Sequence, residues 1–369
     1  MDLIADMLMD TLPAVGGNRI AVTRLCPPMT HRWTRLPLIG RAARAQLGDR
    51  LTGRFWDYPR WLAPQVGRFD VFHIVDQSYA HLTRVLPARS AIVTCNDVDA
   101  IRAALPGNTR AFHPSRLLAA HVLDGLSRAA HIACISRATR AELLASGNIP
   151  AERVSVSHLG VHPACSPSPD PQSDAEIASR IGGESLEILH VGSTSPRKRL
   201  DMAIQILSGV RSVFPGIRLV RVGGTLPPAE RALAERLGVL DAIVELPFLE
   251  RRLLAAVYRR AALVIMPSDR EGFGLPVAEA LACGVPVVAS DIPAMKEVGG
   301  DATTYCPVGE VSSWVDQIST LLRYRQSDAA GWEVKRRECV GAAARFSWSQ
   351  FAADMAQLYC EQAPRVQAS

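Results

Sequence analysis

Two glutamates eight positions apart, Glu271 and Glu279, bracket a glycine-rich turn, Glu271-Gly272-Phe273-Gly274-Leu275-Pro276. Gly272 and Gly274 let a backbone approach a ligand closely. Pro276 suits the first turn of a helix. The start of such a helix presents unpaired N–H groups and a positive dipole end, which favours a diphosphate. The two carboxylates can then face one ligand from different sides. Acids beside a phosphate make chemical sense when they hold hydroxyls, on a sugar and on a ribose. A glycine loop with a capping Glu is the plain alternative, and a lone Gly-x-Gly would leave it ahead. A second cluster shifts the balance. Gly192-Ser193-Thr194-Ser195-Pro196-Arg197-Lys198-Arg199 puts a glycine turn and three cations at the start of another helix. Positive charge there opposes the helix dipole, so a purely structural role is poorly served. A bound anion resolves the conflict.

These turns need strands before them and helices after them. Leu263–Met266 reads as a buried strand ahead of Glu271, and Leu186–Val191 as the strand ahead of Gly192. The pattern of short β-rich runs alternating with helical periods holds along the whole chain, which predicts α/β architecture with parallel sheets. In the first half, strands are expected at Arg19–Leu25, Asp70–Ile74, Ala91–Thr94, Ile132–Ile135 and Val154–Ser157, with helices at Arg116–Ala129 and Arg137–Ser146. In the second half, further strands are expected at Arg218–Val222, Ala242–Leu246 and Val285–Ala289. Helices are expected there at Arg199–Val213, Pro228–Leu237 and Leu253–Ala261, with two more near Val311–Arg323 and Ser349–Tyr359 at the end of the chain. The Pro-, Ser- and Asp-rich stretch 167–184 reads as a linker. The expected domains are residues 1–166, joined by a C-terminal crossing helix at 346–369, and residues 185–345. Each is a Rossmann-like doubly wound unit, the two facing across a cleft, with ligands at the carboxyl ends of the strands. Residues 3–12 already read as a helix, so the opening strand of the first domain, with its loop, is missing from the pattern.

At 369 residues the chain has room for about two domains of ~150 residues. Hydrophobic residues at 48% and charged residues at 21% exclude disordered and low-complexity classes. No apolar run approaches the ~20 residues of a membrane span. The first residues are acidic and amphipathic, unlike a secretory signal, so a cytoplasmic protein is expected. Eight cysteines without a CxxC exclude a zinc site or a disulfide scaffold and read as buried thiols. Charge is divided unevenly. Residues 1–180 hold 20 Arg, no Lys and 15 acids, so the whole net charge of +5 sits there. Arg32, Arg35, Arg41, Arg44, Arg50, Arg54 and Arg60 interleave with Trp33, Phe55, Trp56, Tyr58 and Trp61. That mixture fits an inner-leaflet membrane surface or a phosphate-bearing substrate better than nucleic acid, and no nucleic-acid partner is expected. A solvated Arg surface over core aromatics competes about evenly.

With these residues in place, the second half resembles the donor domain of retaining glycosyltransferases of the family 4, or group 1, type, which have the GT-B fold. The resemblance runs from about Leu186 to Arg323 and rests on Glu271 to Glu279, the downstream Ala-Cys-Gly-Val-Pro-Val-Val-Ala-Ser, and Gly192 with Arg197-Lys198. It implies that Lys198, helped by Arg197 and the Gly192-Ser193 turn, holds a donor diphosphate. Glu271 and the backbone of Gly272, Phe273, Gly274 and Leu275 hold the donor sugar. Glu279 holds the ribose, and Phe248 and Leu249 border the base. Lys198 and Glu271 are then the residues on which turnover depends, with Glu271 not a nucleophile. The resemblance also implies no metal and no cofactor beyond the nucleotide-diphosphate sugar, which is the donor substrate. A hexose passes to a glycan or lipid-linked acceptor with its anomeric configuration kept. In the first half, His73, Asp76, Asn96 and Asp97 end expected strands and are acceptor-side candidates. Relatives often carry His-Asp where this chain has Asn96-Asp97, and Asn cannot transfer a proton as a base. Phe112-His113-Pro114 is a further candidate. Two other readings compete. One is a nucleotide-sugar epimerase or phosphorylase, against which the full Glu-to-Glu element with Lys198 argues. The other is a degenerate, non-catalytic subunit that binds a nucleotide-sugar or a partner, to which Asn96 and the missing strand lend support.

Overall fold

The computed structural model describes residues 2–28, 30–35, 43–104, 114–183 and 185–363. The chain divides into two compact units, Met1–His158 with Trp348–Ser369, and Leu159–Ser347. Both are built on parallel sheets.

The first unit has four strands, β1 (Phe72–Ile74), β2 (Ala91–Cys95), β3 (His131–Cys134) and β4 (Val154–Val156), in that spatial order. Their register pairs Ile74 with Val93 and Cys95 with Cys134. Strand β2 is buried along its whole length, as a central parallel strand should be. Helix Pro114–Arg128 buries Val122 and Leu126 against it, and Ser136 caps helix Arg137–Leu144 by accepting from Thr139 N at 2.9 Å. The C-terminal helix Trp348–Gln362 packs on helix Asp2–Gly16 within this unit, burying Phe351 and Met355 completely. Ser157 Oγ donates to its Asp354 at 2.6 Å.

The second unit has six strands: β5 (Glu187–Val191), β6 (Arg218–Val222), β7 (Ile243–Leu246), β8 (Leu263–Met266), β9 (Val287–Ser290) and β10 (Thr303–Cys306). Their spatial order is β10-β9-β8-β5-β6-β7. The winding reverses between β5 and β8, the place in an open parallel sheet where ligands bind. Helix Leu200–Arg211 covers the sheet through Ala203, Ile206, Leu207 and Val210, all fully buried. Each large apolar side chain buried in this way contributes about 1.5–3 kcal/mol.

Three expectations are corrected. Arg19–Leu25 is not a strand: Arg19 ends a 3-10 turn, residues 20–25 join no sheet, and the alternation of Ile20 and Val22 alone cannot make them a strand. The stretch 167–184 is not a free linker. It holds helix Pro171–Ile181, part of the second unit, because Asp170 accepts from Ser173 N and Pro171 supplies the first helical residue. Strand β10 and helix Ala329–Ala343 are additional to the elements expected.

Candidate active site

The site grows from the two loops at the reversal. After β5 the chain passes Gly192 and forms a short 3-10 turn, Pro196–Lys198, before Arg199 adopts a left-handed conformation (φ 50°, ψ 53°) and opens helix Leu200–Arg211. A left-handed arginine costs about 1–2 kcal/mol. Arg199 offsets this with ion pairs to Asp201 at 3.0 Å and Asp269 at 2.9 Å. After β8 the chain runs through Asp269 to Gly274, whose φ of 97° suits only glycine, and opens helix Leu275–Ala282. Asp269 N donates to Arg197 O at 2.9 Å, so the two loops are stitched by backbone.

This stitching brings the expected cations and the first carboxylate together. Lys198 Nζ lies 2.5 Å from Glu271 Oε1, and Arg197 Nη1 lies 2.7 Å from Glu271 Oε2. Lys198 is 8% exposed. Burial pushes the Glu271 pKa up, but Lys198 and Arg197 outweigh burial and hold it below the ordinary glutamate value. The carboxylate is thus kept ionised as a pure acceptor. Arg199 is committed to Asp201 and Asp269, so the positive charge at this helix start is answered by three acids of the chain itself.

Glu279 lies on the inner face of helix Leu275–Ala282, buried. Tyr258 Oη donates to its Oε2 at 3.0 Å and Arg251 Nη1 to its Oε1 at 3.2 Å. Burial raises its pKa, against Arg251 and Tyr258. Neither partner stands out in the sequence, although Arg251 and Tyr258 are seven apart on helix Arg251–Arg260 and so share a face. Phe248 is 75% exposed and Leu249 half-buried, on the loop after β7. Gly272 and Phe273 are buried, Leu275 is half-buried, and Ser193 is exposed at the tip of the first loop.

Two further residues escape sequence reasoning. His190 and Arg221 are register neighbours at the ends of β5 and β6, and both are fully buried. Burial, then the charges of Lys198 and Arg221, pull the His190 pKa down to about 4, so its ring is neutral. His190 Nε2 lies 3.4 Å from Lys198 O. Arg221 Nη2 donates to Gly223 O at 3.2 Å. A Cβ on Gly223 would stand 1.9 Å from Gly192 O, so that contact exists only because position 223 is glycine.

In the first unit, the carboxyl ends of β1 and β2 gather three acceptor-side candidates. Gln77 joins two of them: its Oε1 accepts from Asn96 N at 2.9 Å and its Nε2 donates to Asp97 Oδ1 at 2.9 Å. Asn96 Nδ2 donates to Val75 O at 3.2 Å, and Asp76 caps the following 3-10 helix through Ser78 N at 2.8 Å. His73 is different. Its Nδ1 bonds Tyr359 Oη at 2.6 Å and its Nε2 bonds Thr94 Oγ1 at 2.7 Å. Both nitrogens are engaged and burial pulls its pKa down to about 4, so the ring is held neutral between Tyr359 and Thr94. Its work is to fasten the C-terminal helix to the sheet. Phe112, His113 and the Pro114 side chain lie outside the described residues, as does Arg41.

Comparison with known proteins follows the same line. Residues 173–338 match the family model of glycosyl transferases group 1. The chain is 32% identical over 227 residues to a D-inositol 3-phosphate glycosyltransferase of Mycobacteroides abscessus, covering 59% of this chain and 48% of that protein. It is 30% identical over 249 residues to the O-antigen chain mannosyltransferase B of Escherichia coli, covering 64% and 63%. The chain spans about half the length of most of the curated relatives it matches. Among solved structures, WaaG, a glycosyltransferase involved in lipopolysaccharide biosynthesis, superposes with a TM-score of 0.72 at 17% identity over 96% of this chain and 95% of that one. Anabaena HepE in complex with UDP and glucose superposes with a TM-score of 0.69 at 18% identity over 84% and 82%. At such identities the likeness shows the fold, the GT-B class of two parallel α/β units. Residues 173–338, whose two stitched loops bring Lys198 to Glu271, are the part of this chain that matches the group 1 glycosyltransferase family.

Proposed function

We propose that the protein transfers a hexose from a nucleotide-diphosphate sugar to a hydroxyl of a glycan or lipid-linked acceptor, with retention and without a metal. The observation that carries this reading is the pair of carboxylates eight residues apart, one ionised against Lys198 and Arg197, the other buried against Tyr258 and Arg251. The names of the relatives, glycosyl transfer to an inositol phosphate and mannosyl transfer to an O-antigen chain, support it. So does the neighbour crystallised with UDP and glucose.

In this reading, Lys198 and Arg197 neutralise the diphosphate as it leaves, the task a metal would otherwise perform. Glu271 turns to the sugar hydroxyls, which replace the cations as its hydrogen-bond donors. Glu279 takes the ribose. No residue is asked to form a covalent intermediate. In the helical stretch of residues 43–62, Leu47, Arg50, Leu51, Trp56 and Arg60 are exposed, with the Arg60 guanidinium 3.2 Å above the Trp56 ring. Exposed basic and apolar groups together suit an anionic inner-leaflet surface. No helix among the described residues is long and apolar enough to cross a membrane.

The test is calorimetry with UDP, GDP, ADP and their hexose conjugates, with EDTA present. Binding of one diphosphate that survives EDTA, followed by NMR of a product with the donor's anomeric configuration, is expected. Binding that vanishes with EDTA, or an inverted product, overturns the reading.

A further inference from the structure

Several arginines of the first unit pair with acids, and Arg140 and Arg153 bond backbone carbonyls instead. Arg24 pairs with Asp6, Arg32 with Asp57, Arg84 with Asp124, and Arg102 with Asp99 and Glu142. Arg54 does not. It sits in the π-helical turn Gly53–Asp57, a geometry that recurs at functional sites. Its guanidinium makes no hydrogen bond or ion pair with any described residue, and its Nε is buried without a partner. What holds it is aromatic: the Cζ lies 4.6 Å from the Tyr79 ring and 5.1 Å from the Phe55 ring. Its own carbonyl accepts from His81 Nε2 at 2.9 Å, which fixes the turn.

The place matters as much as the vacancy. Tyr79 and His81 belong to the segment that leaves the carboxyl end of β1 through Asp76, the edge where open α/β sheets take their ligands. Asp76 is within electrostatic reach of Arg54, yet its Oδ1 is spent on Ser78 N. Burial lowers the Arg54 pKa against the pull of Tyr79 and Asp76. His81 is held neutral at about 4, first by burial and also by the charge of Arg54. Among the described residues no acid forms an ion pair or hydrogen bond with this half-buried, ring-clamped cation, whose fork matches a phosphate.

We infer that Arg54 binds a phosphate-type anionic group of the acceptor substrate. The word acceptor rests on the glycosyltransferase reading; the anion site itself does not. The chemistry is a phosphoester, carried by a free sugar phosphate or by a lipid headgroup.

The test uses the full chain as wild type, Arg54→Gln, Arg54→Lys and Lys198→Ala. Each is titrated with inorganic phosphate and glucose 6-phosphate, and sedimented with vesicles of phosphatidylglycerol or phosphatidylcholine. Affinity for the soluble phosphates is expected to fall at least tenfold in Arg54→Gln, by only a few-fold in Arg54→Lys, and hardly at all in Lys198→Ala. Phosphatidylglycerol binding lost only in Arg54→Gln, with no soluble phosphate bound, supports the same site with a lipid as the source. Equal binding by wild type and Arg54→Gln, loss confined to Lys198→Ala, or no binding of any probe by wild type overturns the inference. UDP, GDP and ADP binding by Arg54→Gln reports that the variant is folded. Absence of nucleotide binding in wild type, with the phosphate arms as expected, sinks the donor reading and leaves Arg54 standing.

Discussion

Lys198 and Glu271 sit 73 positions apart in the chain and 2.5 Å apart in space. Replacing Lys198 by Ala removes a charge-assisted contact worth about 1.5–3 kcal/mol to a bound diphosphate, a ten- to hundred-fold loss in donor affinity or rate. Turnover close to wild type would place the diphosphate elsewhere. Glu271→Gln and Glu279→Gln separate the two carboxylates. Removing the Glu271 charge frees two cations, so free nucleoside diphosphate should bind at least as well as in wild type while the nucleotide-sugar weakens. Glu279→Gln should weaken both ligands alike. Calorimetry on both variants decides, and the same pattern of loss in the two would sink the division of roles. At this scale the sequence is informative about acids and cations in motifs and nearly silent about their clamps. Arg251, Tyr258, Gln77 and Arg54 carry no motif. They are found only because helices and strands distant in sequence bring them against a motif residue or leave them without a partner.

Among the elements, those with strong periodicity were legible. Arg218–Val222 and Leu263–Met266 form over the residues expected of them: Leu263-Val264-Ile265-Met266 is an uninterrupted apolar run, and Leu219, Val220 and Val222 keep β6 mainly apolar despite Arg221. Two errors have physical causes. The Pro-rich stretch before Pro171 imitates a linker, whereas Asp170-Pro171 is a helix start whose signal lies in the order of the residues, not their composition. Strand β10 is Thr-Thr-Tyr-Cys, short and at the sheet edge, and only its pairing with β9 defines it. The loops after β5 and β6 touch where Gly223 meets the Gly192 carbonyl. Gly223→Ala combines that clash with a φ of 128°, and strain of this kind costs about 1–3 kcal/mol or more. A lowered denaturation midpoint together with weakened nucleotide binding is expected. An unchanged midpoint would show that the Gly192 turn yields freely.

Across the whole molecule, three histidines, His81 and His190 buried and His73 half-buried, share one property. His73, His81 and His190 each have a pKa pulled down to about 4, burial being the first cause in every case. The unfolded chain binds these protons near pH 6.5 and the folded chain resists them until about pH 4. Between those values the unfolded state holds more protons, so stability rises with pH and falls on acidification. Each histidine contributes up to roughly 1.4 kcal/mol per pH unit. Urea midpoints measured from pH 7 to pH 5 should fall, and His190→Gln should flatten the slope for the second unit. A flat wild-type profile would mean that the histidines are hydrated in solution. Glu271, with its depressed pKa, adds acid lability that sets in at the ordinary glutamate value and grows below it.

The resting salt link between Glu271 and the Arg197–Lys198 pair has a consequence for the end of the cycle. On the proposed reading, once the sugar has gone, Glu271 has lost its hydroxyl partners while the spent nucleotide still occupies the cations. The carboxylate, tethered within reach on a loop stitched to theirs, competes for them at an effective concentration that free phosphate in the cell cannot match. On the proposed reading, the same side chain that recognises the cargo also evicts the empty carrier. The site is thereby protected from fouling by the phosphates around it.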